Sequence, residues 1–159
     1  MYADDEARLA AYAGLGELAD WSAWAPLTDA LPHAPRSPGV YLLLETGPRV
    51  VVHVGRAGER AGGGAPQGLH GRLRAYLTGS GAVTGFVETA LDRALADRDW
   101  VRARLDEPTR TRPTRAWAAA AVRRLELEVS WATCADADEA RWLETRVVEL
   151  LRPHGLWGR

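Results

Sequence analysis

Residues 37–55, SPGVYLLLETGPRVVVHVG, contain two runs dense in β-branched, leucine and aromatic residues, separated by a short polar segment. Residues 40–44 and 50–54 therefore read as strands, and the Glu-Thr-Gly-Pro-Arg between them supplies the turn chemistry of a hairpin. Each strand is tied to a small glycine-containing tripeptide, Gly39-Val40-Tyr41 and His53-Val54-Gly55, so that Tyr41 and His53 lie on neighbouring strands. This hairpin is the frame around which the rest of the chain is read.

The chain has 159 residues, 47% of them hydrophobic, enough for one compact domain with a real core. Residues 4–18 carry apolar positions at helical spacing, and DWSAWAPLTDALPHAPRSPG after them is rich in proline and small residues. Residues 1–36 are thus expected to form an N-terminal helix and connector, an arm on the main domain at 37–159. Following the hairpin, the glycine-rich RAGERAGGGAPQG leads into a helix marked by Leu69, Leu73, Tyr76 and Leu77, which carries Arg72 and Arg74. Residues 82–107 read as a helix with Val83, Val87, Leu91 and Leu95 on one face, and PTRTRPTR separates it from an alanine-rich helix at 116–124. Together, 79–124 read as a helical insertion.

Leu125, Leu127, Val129 and Trp131 alternate with Glu126, Glu128 and Ser130, the pattern of a third strand with one buried face. Asp136 and Asp138 are candidate caps of a last helix, 137 to about 151, with Leu143, Val147, Leu150 and Leu151 facing the sheet. The expected class is α+β: a small three-stranded antiparallel sheet flanked by helices, with the N-terminal arm and the helical insertion.

The longest unbroken apolar stretch, 116–122, falls far short of the roughly 20 residues that span a bilayer. The acidic start lacks the regions of a signal peptide, so a cytoplasmic location and no membrane partner are expected. A single cysteine, Cys134, excludes an intramolecular disulfide and a multi-cysteine zinc site. Net charge is -1, yet residues 1–35 hold six acids against one arginine, whereas 36–76 hold six arginines against two acids. The basic block is the part suited to phosphate. All twenty basic residues are arginine, which reflects GC-rich coding more than function, although arginine suits bidentate phosphate contacts.

Tyr41, His53, Arg56, Arg72 and Glu144 each have an ordinary structural explanation when taken singly: packing, a hydrogen-bonded core histidine, a solvated cation, a helix-surface acid. GRAGERAGGG lacks the Gly-Lys-Ser/Thr ending of a P-loop and the spacing of a dinucleotide fingerprint. Order along the chain changes the balance. Gly-Val-Tyr, then His-Val-Gly-Arg-Ala, then LHGRLRAYL, then EARWLETRVVELLRP resembles the GIY-YIG nuclease superfamily over about 37–157, and particularly its incision domain in nucleotide-excision repair.

That resemblance implies a catalytic tyrosine at Tyr41, motif glycines at Gly39 and Gly55, a basic residue at Arg56, the helix arginine at Arg72 and a metal-binding glutamate at Glu144. It departs from the family pattern at His53, where a tyrosine is usual, and near the end, where Gly158 stands at about the place of an asparagine. The implied activity is divalent-metal-dependent hydrolysis of phosphodiesters in double-stranded or branched DNA, directed by damage or DNA structure, with Mg²⁺ or Mn²⁺ held by Glu144. Arg72 would meet the scissile phosphate, with Arg56, Arg60 and Arg74 as further phosphate contacts and Arg110, Arg112 and Arg115 as additional candidates. Tyr41 would relay a proton only if arginine or metal favoured its phenolate, since tyrosine ordinarily titrates near 10. An imidazole ordinarily titrates near 6.5, so His53 is a candidate catalytic base in the tyrosine's place, or else a packing residue. The alternatives are an inactive nucleic-acid-binding module of the same fold and a protein-interaction domain using exposed tryptophans.

Overall fold

A computed structural model describes residues 3–58, 67–80, 85–108 and 112–157. The hairpin forms as expected from β2 (Gly39–Glu45) and β3 (Val50–Ala57), with Tyr41 opposite Gly55 and Leu43 opposite His53. On its other edge β2 pairs antiparallel with β4 (Leu127–Thr133), Tyr41 opposite Trp131. Paired on both edges and covered on both faces, β2 is buried from Gly39 to Leu44, which explains its unbroken apolar run.

The sheet has four strands, not the expected three: β1 (Ala25–Pro26) pairs with β4, giving the order β1-β4-β2-β3. No hydrophobic pattern announces a two-residue strand containing proline, a residue confined to sheet edges because it has no N–H. Ser22 extends the attachment, its N–H donating to the Trp131 carbonyl at 2.8 Å and its Oγ accepting from the Trp131 N–H at 2.9 Å. The strand expected at 125–131 begins later. Leu125 caps the preceding helix, and Glu126 takes a left-handed φ of 49° before β4 starts. Its second face is also covered, since Ser130 and Ala132 are buried.

Side chains of β2 alternate between two cores. Val40, Leu42 and Leu44 face α7 (Ala137–Leu151) and α1 (Ala3–Leu18), whereas Tyr41 and Leu43 face α3 (Gly68–Thr78), α4 (Gly85–Leu95) and α6 (Pro113–Arg124). A bulge interrupts the hairpin: Leu43 pairs with His53 and Leu44 with Val51, leaving Val52 as the extra residue. Val51 and Val54 enter the α7 core, whereas Val52 joins the Tyr41 core and His53 packs beside Tyr41. The bulge thus puts two consecutive side chains, Val52 and His53, on the same face.

The N-terminal segment is built into the body. Ala11 and Leu15 of α1 lie in the α7 core, and the Tyr12 hydroxyl accepts the Val51 N–H at 2.8 Å, covering an edge donor beside the bulge. Leu27 and Ala30 of α2 (Leu27–Ala30), and Ala34 beyond it, lie in the other core. The expected insertion is likewise part of the core, through Phe86, Val87 and Ala90 of α4 and Ala118 and Val122 of α6. The single helix expected over 82–107 is broken into α4 and α5 (Arg98–Leu105), because the Asp97 carboxylate accepts the N–H groups of Asp99 and Trp100 and starts a new helix. The inner face of α4 is Phe86, Val87, Ala90 and Ala94; Leu95 is exposed, and Val83 lies outside the described residues. Asp136 caps α7 by accepting the Glu139 N–H at 2.8 Å, while Asp138 instead faces Arg141. No helix among the described residues is long and apolar enough to cross a membrane.

Candidate functional site

Helix α3 is set against the hairpin by its own first turn. The N–H groups of Leu69 and His70 donate to the carbonyls of Ser37 and Pro35 at 3.0 and 2.9 Å, so the helix start is capped by the chain that leads into β2. Gly68 permits this contact, because it has a φ of +46° and a Cβ there would overlap the Ser37 carbonyl. Arg72 and Tyr76, one helical turn apart, consequently face the same place over Tyr41.

The two motif glycines are explained by space. A Cβ at Gly39 would overlap the Ala132 carbonyl and approach Leu69 Cδ1 at 2.8 Å, blocking close contact with β4 and α3. At Gly55 it would overlap the Tyr41 hydroxyl, because the Tyr41 ring lies across the strand at that point. The tripeptides are therefore mechanically coupled: the glycine of the second makes room for the tyrosine of the first.

Tyr41 is fully buried, and its hydroxyl makes a short hydrogen bond to that of Tyr76. The Tyr76 hydroxyl lies 3.3 Å from His53 Nε2, and the Arg72 charge acts on both phenols, favouring their ionised forms. A continuous chain runs His53–Tyr76–Tyr41–Arg72. Helical spacing alone assigns Tyr76 only to the apolar stripe of α3; its place four residues after Arg72 is the signal that could have singled it out. His53 is half-buried beneath Phe86, at 4.9 Å between ring centroids, and Phe86 in turn stacks on Trp157 at 5.3 Å.

Burial pushes the Tyr41 phenol above its ordinary value, against the lowering effects of the Tyr76 hydrogen bond and the Arg72 charge. Burial, followed by the neighbouring Tyr41, pushes Tyr76 up well beyond its ordinary value. Both phenols are therefore protonated near neutrality, and Arg72 alone does not create the phenolate that a relay through Tyr41 was expected to require.

Glu144 lies on the inner face of α7 and is only 7% exposed. Arg56 Nη1 stands 2.6 Å from Glu144 Oε2, so the residue expected to contact phosphate is paired with the residue expected to hold metal. Glu144 also contributes to the electrostatic environment of Tyr41.

A cleft of about 610 Å³ opens beside this cluster, with Arg56, Arg72, Arg74 and Arg115 among its walls and no acidic residue lining it among the described residues. Arg115, from the start of α6, is held by the Thr78 carbonyl at 3.0 Å and Ser80 Oγ at 2.7 Å. Arg72 lines the cleft and also acts electrostatically on the Tyr41 and Tyr76 phenols, whereas Tyr41, Tyr76, His53 and Glu144 are not among the lining residues. Arg60, Arg110 and Gly158 are outside the described residues.

No group of three or more His, Cys, Asp or Glu side chains converges among the described residues. A single buried carboxylate still suits a hard divalent ion that takes most of its ligands from water and substrate, with the Arg56 guanidinium as its competitor at Oε2. The chain matches no family model and, at a significant level, no curated protein and no solved structure.

Proposed function

We propose that this chain is a divalent-metal-dependent DNA endonuclease of the GIY-YIG kind. The observation that carries the reading is Arg72, which joins a cleft walled by four arginines to a buried pair of tyrosines ending on a histidine. A phosphodiester in that cleft meets cationic forks and, among the described residues, no opposing carboxylate on the walls, which suits a polyanion.

In this reading a water attacks phosphorus, a new P–O bond forms, and the bond to the leaving alkoxide breaks. Arg72 and Arg56 stabilise charge growing on the phosphoryl oxygens. Tyr41, fully buried in the DNA-free protein, would have to meet the attacking water in the substrate complex, where it would accept the water's proton while passing its own through Tyr76 to His53 Nε2, so no free phenolate has to exist beforehand. Glu144 would hold the divalent ion, which supplies Lewis-acid stabilisation of the phosphate and the leaving oxygen.

The test is incubation of plasmid, branched and abasic DNA with Mg²⁺ or Mn²⁺, comparing wild type with Glu144→Ala and Tyr41→Phe. Cleavage by wild type that both substitutions reduce at least a hundredfold is expected. DNA binding without cleavage by any form would instead identify a binding module, a reading favoured by the Arg56–Glu144 pair.

A further inference from the structure

Arg56 and Glu144 are 88 residues apart in sequence, and their pairing at 2.6 Å joins β3 to α7. The two partners differ in exposure: the Glu144 side chain is 10% exposed and that of Arg56 is 44%. A carboxylate placed among Ala140, Leu143 and Val147 is costly to leave without a counter-charge. Arg56, however, also forms part of the arginine-walled cleft. One guanidinium therefore serves a buried carboxylate on one side and a polyanion-attracting surface on the other.

We propose, resting on the nuclease reading above, that Arg56 is a substrate-operated latch on Glu144. In the DNA-free protein it neutralises the carboxylate. An entering phosphodiester draws the guanidinium outward, and Glu144 then accepts a divalent cation as its replacement counter-charge. A guanidinium and a divalent cation at one carboxylate repel each other across a few ångströms, so the two compete there. The consequence is positive, reciprocal coupling between DNA and metal, which biases the metal-loaded state toward protein that already holds substrate.

The experiment titrates Mn²⁺ into the full chain and reads free Mn²⁺ by electron paramagnetic resonance, with and without a short phosphorothioate duplex that resists cleavage. Duplex-only and Glu144→Gln titrations correct for Mn²⁺ on the DNA, and fluorescence anisotropy reports duplex binding in metal-free buffer. Wild type is expected to bind Mn²⁺ about tenfold more tightly with duplex present, a coupling within the usual range. Arg56→Gln should bind Mn²⁺ about tenfold more tightly than wild type without duplex and gain little from adding it. Arg56→Lys, which keeps the charge but loses the planar fork, should fall between them and provides a second variant if Arg56→Gln unfolds. Equal Mn²⁺ affinity of wild type and Arg56→Gln without DNA overturns the latch, as does a bound duplex that leaves wild-type affinity unchanged. With cleavage intact, either result removes the latch alone. Loss of any Glu144-dependent Mn²⁺ site in every form removes the nuclease reading with it.

Discussion

Replacing Gly55 with alanine tests the packing on which the candidate site depends. The new Cβ would overlap the Tyr41 hydroxyl and Cζ and stand 2.9 Å from Cε1, and the backbone of β3 cannot retreat because Gly55 is paired with Tyr41 itself. The ring must therefore move within a fully buried site. Overpacking of this kind costs roughly 1–3 kcal/mol. Detaching the Tyr41 hydroxyl from Tyr76 leaves buried polar groups unsatisfied, adding about 1–3 kcal/mol. A loss near the middle of the combined range, about 4 kcal/mol, corresponds to a fall in Tm of roughly 8–16 °C in a chain of this size. Urea denaturation followed by tryptophan fluorescence measures it, with Gly47→Ala as the control because no atom lies within 4 Å of a Cβ there. In a Tyr41→Leu background the obstructing ring is gone, so Gly55→Ala should cost under about 1 kcal/mol, glycine to alanine in a strand being mildly favourable by itself. Equal costs in the two backgrounds, or a cost below about 1 kcal/mol in wild type, would refute the steric coupling.

Gly16 lies in α1 with open space where a Cβ would stand, so its change to alanine should add about 0.5–1 kcal/mol of stability, read as a higher urea midpoint. Tyr41 and Tyr76 both have folded pKa values raised above their unfolded value near 10, so the folded state keeps protons that the unfolded state loses. Stability is thus full below about pH 10 and declines as pH rises above it; Tyr76→Phe should make that decline shallower while costing about 1–3 kcal/mol at pH 8. Arg74→Gln should weaken DNA binding across unrelated sequences and reduce the salt dependence by about one counterion, measured by anisotropy at several salt concentrations. His53→Gln should remove the acidic limb of the pH–rate profile for cleavage, and an unchanged profile would exclude His53 as proton acceptor.

Much of the framework is local chemistry and can be read from residues alone. Strand-type composition marks β2 and β3, three-to-four-residue spacing puts Leu69, Leu73 and Tyr76 on the inner face of α3, and Asp136 caps α7 as its position suggests. Each of these depends on residues within a turn or two of one another. The single cysteine likewise settles that no disulfide closes within the chain.

Tertiary structure decided what depends on distant partners. Ala25 and Pro26 become a strand only because β4 offers an edge, and the expected arm and insertion become the covers of two cores. The extra residue at Val52 turns His53 toward the tyrosines, a matter of register between strands. Arg56 has the character of a phosphate contact, yet it is paired with a carboxylate 88 residues away. Hydrophobic period and turn residues report the local backbone, whereas the pairing of charges and the room for a ring depend on which surfaces meet. The hairpin motif is therefore legible in the chain, but the link from His53 through Tyr76 and Tyr41 to Arg72 exists only where α3 closes over the sheet.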